Sequence, residues 1–178
     1  MSDSIIAAVI LLAFAAIMGF ISYRGFKKSS KVKKARAAVS TRLGATMNGI
    51  LKHTEGLPLA PGVMVDVYYG PEKIVFKKDQ QEITISRDKI TGIDVTTGKN
   101  IKAQQMAGAA TGKYILGGTT GAIIGSLAAT TTYLVISYIS EGKSKYVILD
   151  TAMSGTFATK VQKDFAKTST AKATSIEL

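Results

Sequence analysis

The first long run of apolar positions lies at the N-terminus, where residues Ser4 to Tyr23 carry no charged side chain. A helix over these 20 residues would be about 30 Å long, which matches the hydrocarbon core of a bilayer. Apolar side chains occupy every face, a pattern typical of a membrane span and not of an amphipathic surface helix. We therefore predict a transmembrane helix over residues 4–23, anchored by Ile5, Ile6, Val9, Leu11, Leu12, Phe14, Ile17, Phe20 and Ile21.

A cleaved signal peptide is the alternative interpretation of this run. It would need a basic segment before the run and a small-residue cleavage site after it. The chain instead starts with Met-Ser-Asp-Ser, and the run ends in Tyr-Arg-Gly-Phe-Lys-Lys. These flanks favour an uncleaved anchor.

The next apolar pattern recurs at steps of three and four, at Val32, Ala35, Val39, Leu43, Met47 and Leu51. This spacing predicts a helix from Ser29 to about Lys52. The helix either extends the anchor, packs on the following domain or contacts another copy of the chain. We assign residues 24–56 to a basic juxtamembrane helix or linker.

After a loop marked by Pro58 and Pro61, the pattern changes to short alternating stretches separated by turn residues. Such stretches predict antiparallel strands. Four precede a Gly-, Ala- and Thr-rich segment over residues 103–132, and two follow it. The predicted strands are Val63 to Tyr69, Lys73 to Lys78, Glu82 to Arg87, Ile90 to Thr97, Tyr133 to Ser140 and Lys145 to Leu149.

The last element is an amphipathic helix near Gly155 to Lys167. Phe157, Val161 and Phe165 are four residues apart and share one helical face. We predict one folded domain over residues 57–167 and a polar, frayed tail over residues 168–178. The fold class is α+β, with a transmembrane helix ahead of an antiparallel sheet and a C-terminal helix.

This order resembles bacterial PH-like or GRAM-like domains whose barrel is interrupted by a glycine-zipper segment. The resemblance spans about Gly62 to Lys167, and its motifs are Ile83 to Ile93, Gly117 to Gly125, Tyr133 to Ile136 and Lys145 to Leu149. It implies a PH-like antiparallel barrel or sandwich in a membrane-proximal role. Many PH domains bind phosphoinositides through a basic loop between their first two strands. The predicted loop here, Gly70 to Lys73, holds one Lys and one Glu, which argues against that activity.

Five glycines of the inserted segment lie at helical spacing: Gly108, Gly112, Gly117, Gly121 and Gly125. Residues at i and i+4 share a helix face, and glycine there lets a second helix approach closely. A flexible Gly-rich loop is the alternative. The flanking strands belong to one barrel, so the segment must enter a membrane and return, lie on its surface, or pack against neighbouring chains. A short helical hairpin that mediates homo-oligomerisation is our interpretation.

The net charge of +11 comes almost entirely from the stretch after the predicted anchor. Basic residues following a span stay in the cytoplasm, so we place the chain in the cell membrane with its N-terminus outside and the folded domain cytoplasmic. The same stretch attracts anionic lipids. The remaining chain is nearly neutral, so we expect no nucleic-acid partner. The expected lipid contacts are Arg24, Lys27, Lys28, Lys31, Lys33, Lys34 and Arg36.

The chain holds little chemistry for catalysis, because it has no cysteine and a single histidine, His53. We interpret His53 as a surface residue. There is no phosphate-binding loop and no clustered metal-ligand pattern. The sequence therefore predicts a protein that is not an enzyme and needs no cofactor or metal.

Three functions remain open at this point. The first is a membrane-anchored, self-associating scaffold or adaptor with an unknown protein partner. The second is a membrane-active effector whose glycine-rich hairpins form a pore or reshape the bilayer. The third is a lipid-sensing module. Charged substitutions at Gly121 or Gly125 should disrupt assembly under the first and abolish ion leakage under the second, whereas neutralised juxtamembrane lysines should abolish headgroup selectivity under the third.

Overall fold

The computed structural model describes residues 14, 18, 32–106 and 127–174. The chain divides into two compact units, Met1–Arg42 and Leu43–Leu178. In the first unit, Phe14 and Met18 are helical and exposed. The helix α1, over 32–43, ends at the boundary between the units. Among the described residues, no helix is both long and apolar enough to cross a membrane. The predicted span over 4–23 lies outside the described residues, apart from Phe14 and Met18.

The second unit, which we call the sheet domain, is an antiparallel sheet with helices, as the fold class predicts. Its described part contains seven strands in the order β4-β3-β2-β1-β7-β6-β5. The helix α2 follows β5, and α3 follows β7. The bounds are β1 Met47–Glu55, β2 Met64–Tyr69, β3 Lys73–Lys78, β4 Gln81–Ser86, β5 Ile90–Thr97, α2 Gly98–Met106, β6 Thr132–Ser140, β7 Lys143–Asp150 and α3 Gly155–Thr174.

The sheet is strongly curved. Its two edge strands, β4 and β5, are consecutive in the chain and are joined only by the 3-10 turn Arg87–Lys89. A connection this short reaches about 14 Å at most. The end of β4 and the start of β5 therefore lie close together, although five strands separate them in the sheet.

One apolar core lies on the inner face of this curved sheet. All seven strands contribute inward side chains to it, among them Leu51 of β1, Phe76 of β3 and Leu134 of β6. The helix α3 adds Phe157 and Val161 to the same cluster, and Phe165 packs against its rim. The helical face predicted for the C-terminal helix is thus confirmed. The helix continues seven residues beyond the predicted end, through Thr174.

The prediction of a helix as far as Lys52 is wrong. Residues 47–55 form β1, a central strand that pairs with β2 on one side and β7 on the other. The apolar spacing is ambiguous here, because Met47 and Leu51 are four residues apart and therefore share a face in a helix and in a strand alike. Residues 47–55 form a strand because their backbone pairs on both edges and Leu51 is buried in the core. The sheet thus begins inside the predicted juxtamembrane segment 24–56.

Candidate functional site

The glycine-rich segment leaves and rejoins the sheet domain at one place. The chain leaves β5 through α2 and returns to β6 through residues 127–131, and we call these two pieces the insertion base. The Gly98 N–H donates a hydrogen bond to the Thr131 carbonyl at 3.0 Å, and the Lys99 N–H donates to the Ala129 carbonyl at 3.1 Å. These bonds hold the chain before the segment beside the chain after it.

Close packing at the insertion base depends on a glycine. A Cβ atom at Gly98 would lie 2.3 Å from the Ala128 carbonyl oxygen and 3.2 Å from the Tyr133 ring. The Tyr133 hydroxyl accepts a hydrogen bond from the Ala128 N–H at 3.1 Å. Glycine at this position therefore lets two backbones approach closely, as glycine does elsewhere in sheets.

The insertion base packs on the outer face of the sheet. Ile101 of α2 and Leu127 contact outward side chains of β6 and β7 in a second apolar cluster, separate from the core. Successive residues of a strand point to opposite faces, so these two strands are apolar on both sides. We call this group the outer cluster; it consists of Ile101, Leu127, Tyr133, Val135, Tyr146 and Ile148.

A buried carboxyl group lies beside the outer cluster. The β1–β7 register shifts between His53 and Glu55, so His53 pairs with the inward Leu149 and Glu55 pairs with the outward Ile148. Without this bulge, alternation would place Glu55 on the same face as His53. The irregularity therefore turns Glu55 toward the face that carries the insertion base.

Glu55 is only 6% exposed and is bound by one side chain. The Tyr146 hydroxyl donates a hydrogen bond to its Oε1 at 3.0 Å, and no described residue donates to its Oε2. Burial raises the pKa of the Glu55 carboxyl above its ordinary value, and the Tyr146 hydrogen bond opposes that rise. The carboxyl thus favours its protonated form more strongly here than in water. The next residue, Gly56, has a positive φ of 94° and leaves no space for a side chain, because a Cβ atom would lie 1.9 Å from the Tyr146 carbonyl oxygen.

The prediction that His53 lies at the surface is wrong, since its side chain is 1% exposed. Its Nδ1 lies 3.2 Å from the Ala60 carbonyl, and its Nε2 accepts a hydrogen bond from the Leu57 N–H at 3.2 Å. A neutral imidazole protonated at Nδ1 satisfies both contacts. His53 therefore fixes the loop between β1 and β2 from inside the fold.

That loop, over residues 56–63, is the connection between the first two strands. The segment Gly70 to Lys73, predicted for this role, lies between β2 and β3 because β1 precedes both. The loop over 56–63 contains no charged residue, and its Leu57 is buried in the core.

Three polar side chains fasten α3 to the sheet. The Tyr69 hydroxyl donates a hydrogen bond to Asp164 Oδ2 at 2.8 Å and accepts one from Arg87. The Arg87 guanidinium lies 4.8 Å from the ring centroids of both Tyr69 and Phe165. Burial raises the pKa of the Tyr69 hydroxyl, and the Asp164 contact raises it further. The polar groups satisfy one another, an arrangement that stabilises the junction between helix and sheet.

Only a few of the predicted site residues are described. Lys33 and Lys34 are exposed on α1, Arg36 is half-buried there, and Phe14 is exposed. The remaining predicted anchor and lipid-contact residues lie outside the described residues, as do Gly108, Gly112, Gly117, Gly121 and Gly125. The structure does describe both ends of the segment that carries these glycines.

Sequence reasoning overlooked the insertion base, although one signal for it is present. Tyr146 and Ile148 alternate with Val147 and Leu149, so β7 is apolar on both faces. A strand with this pattern needs cover on both sides of the sheet. Glu55 gave no such signal, because the bulge that turns it outward does not follow from strand alternation.

Among residues 32–106 and 127–174, no group of three or more His, Asp or Glu side chains is arranged to hold a metal ion. The sequence matches no known protein-family model, and no curated protein shows significant similarity to it.

Proposed function

We propose that the protein is a membrane-anchored, self-associating scaffold. Residues 4–23 anchor it in the cell membrane with the N-terminus outside, and the basic stretch from Arg24 to Arg36 contacts anionic lipid on the cytoplasmic side. The sheet domain presents the glycine-rich segment, through which copies of the chain associate. A protein partner, whose identity is unknown, binds this assembled form.

The insertion base is the observation that carries this proposal. The ends of a flexible linker need no packing. Here the two ends are joined by backbone hydrogen bonds, and they contribute Ile101 and Leu127 to the outer cluster. Both ends of the segment are therefore held at one place, so the segment is attached to the sheet domain as one unit. The glycines predicted at helical spacing give that unit a face suited to close helix contact.

The proposal includes a PH-like fold for the sheet domain. The described part of the domain supports it, with seven antiparallel strands, most of them joined by short turns, and a final helix that enters the same core. Phosphoinositide recognition through the first inter-strand loop is not part of the proposal. That loop, over residues 56–63, has no Lys or Arg to bind phosphate.

The proposed role is non-enzymatic and needs no cofactor. Several polar side chains in the described part of the sheet domain make structural contacts. Tyr69, Arg87 and Asp164 join α3 to the sheet, and His53 fixes the loop between β1 and β2.

The proposal is tested by the mass of the full-length protein in mild detergent, measured by light scattering on a sizing column. We expect a single discrete species several times the 18.8 kDa of one chain. Gly121→Glu should reduce this mass, because a charged side chain on the glycine face prevents close helix contact. Thr119→Glu is the matched control, since it adds the same charge about 160° away from Gly121 on a helix.

Two results would contradict the proposal. One is a monomeric wild-type protein. The other is an equal loss of mass in both variants, which would show that charge and not the glycine face decides assembly. The circular dichroism of each variant shows that its sheet domain has folded.

A further inference from the structure

The solvent side of α3 carries a row of lysines. Lys160, Lys163 and Lys167 are all exposed, and their spacing of three and four residues places them within about 60° of one another around the helix. The opposite side of α3 is buried in the core through Phe157 and Val161. We call the three lysines the basic face.

The positive charge of the basic face is not neutralised within the described part of the chain. None of its three lysines forms a salt bridge with a described residue. Asp164, the one acidic residue among positions 155–169, interacts instead with Tyr69 and Arg87 at the sheet. Asp164 is half exposed but bonded to the sheet through Tyr69, whereas the three lysines are exposed to solvent.

An exposed apolar side chain precedes the same helix. Met153 is 70% exposed, and it lies two residues before α3 begins at Gly155. In the sequence it precedes Lys160 by seven residues, in the turn that leads into α3. An exposed apolar side chain close in sequence to a row of lysines is a combination typical of surfaces that contact anionic membranes.

We propose that the basic face and Met153 form a contact surface for anionic lipid headgroups. The lysines bind the negative leaflet, and Met153 enters the boundary between headgroups and acyl chains. This inference rests on the proposed function, since the anchor is what keeps the domain near the membrane. It adds a contact that is separate from the basic stretch after the anchor.

A membrane fits this surface better than a nucleic acid does. Most of the excess positive charge of the chain belongs to the juxtamembrane stretch, and nucleic-acid domains carry basic residues across their folded surface. Three lysines and one methionine instead form a small patch. Each lysine near an anionic surface strengthens binding about fivefold, so the three together contribute about 100-fold.

The full-length protein in lipid vesicles provides the test. The chain has no cysteine, so Thr156→Cys introduces a single thiol for an environment-sensitive dye on exposed α3, and Ser144→Cys places the same dye on the exposed start of β7. Vesicles contain phosphatidylcholine with or without phosphatidylserine. We expect a blue shift of the dye at position 156 only when phosphatidylserine is present, and no shift at position 144.

Two variants with equal charge loss make the test specific. Lys160→Gln, Lys163→Gln and Lys167→Gln together should remove the shift at position 156. Lys52→Gln, Lys89→Gln and Lys143→Gln together neutralise three exposed lysines elsewhere and should leave the shift unchanged. Raised salt should weaken the shift, because it screens charges at an exposed surface.

Several outcomes would overturn the inference. If the protein floats with the vesicles but the dye at position 156 does not respond to phosphatidylserine, the result supports the proposed anchor and contradicts the proposed lipid contact of α3. A shift produced by an RNA oligonucleotide, and not by phosphatidylserine, would reassign the surface to nucleic acid. If the protein does not float with vesicles of either composition, the proposed anchor fails and this inference fails with it.

Discussion

At the residue scale, single glycines explain how closely the elements of this fold approach one another. Gly49 lies in β1 and packs against Phe157 of α3. A Cβ atom at Gly49 would lie 2.5 Å from Cγ and Cδ1 of the Phe157 ring. Glycine usually weakens a strand, and here it permits the C-terminal helix to enter the core.

We expect Gly49→Ala to destabilise the sheet domain by about 1–3 kcal/mol, since the added methyl forces Phe157 out of its position. The control is Gly92→Ala in β5, where the nearest atom to a new Cβ is Ser137 Cβ at 4.0 Å. Urea denaturation of both variants measures the free energy of unfolding. Equal effects of the two substitutions would show that contact with Phe157 is not what excludes a side chain at position 49.

The buried Glu55 makes stability depend on pH. Its pKa is raised in the folded state, chiefly by burial, so its stabilising contribution is complete below the unfolded value of 4.5 and is lost as pH rises through the folded value. Gln at this position cannot ionise, and its side-chain carbonyl can still accept the Tyr146 hydrogen bond. We therefore expect Glu55→Gln to gain stability relative to the wild type as pH rises above 4.5.

Thermal unfolding over a series of pH values measures this gain. Glu72→Gln, which removes an exposed carboxyl, is the control. A difference between Glu55→Gln and the wild type that does not change with pH would contradict the assignment of Glu55 as a buried carboxyl that resists ionisation.

At the element scale, the sequence predicts strands best where alternation is clean and turns are marked. The predicted bounds of β2 to β6 agree with the structure to within one residue, and β7 begins two residues before its predicted start. The structure places Glu141 and Gly142, both with positive φ, in the tight turn between β6 and β7. Strands and turns of this kind can be predicted from the sequence alone.

The strand β1 could not be predicted in this way, for two physical reasons. Its apolar residues Met47 and Leu51 fit a helix and a strand equally well. Its end is irregular, because the bulge between His53 and Glu55 breaks the alternation that would identify a strand. Pairing with β2 and β7, which lie later in the chain, settles its conformation, and that information is not local.

The insertion base is an element whose closure can be tested directly. Gly98→Ala places a methyl against the Ala128 carbonyl, so we expect the hydrogen bonds from Gly98 and Lys99 to open more often. Amide hydrogen exchange over residues 98–106 should become about tenfold faster. Gly155→Ala, with no atom within 4 Å of the new Cβ, is the control. Unchanged exchange in Gly98→Ala would mean that the base does not depend on close backbone approach.

At the scale of the whole molecule, the sequence predicts one antiparallel domain closed by a C-terminal helix, and the structure confirms that outline. The sequence could not predict that a second apolar cluster holds both ends of the glycine-rich segment, because Ile101 and Leu127 come together only in the folded chain. Nor could it predict the junction of Tyr69, Arg87 and Asp164, which brings together residues 95 positions apart. Long-range contacts of this kind hold the ends of the segment and the C-terminal helix on the sheet.

The central claim is that copies of the membrane-anchored chain associate through the glycine-rich segment. Disulfide crosslinking in native membranes tests it most directly, because the natural chain has no cysteine. We predict that full-length protein carrying Ile124→Cys, about 60° from Gly121 on a helix, forms covalent dimers under mild oxidation. Protein carrying Ser144→Cys, at the exposed start of β7, should remain monomeric. Monomers in both cases, or equal crosslinking at the two positions, would contradict the claim.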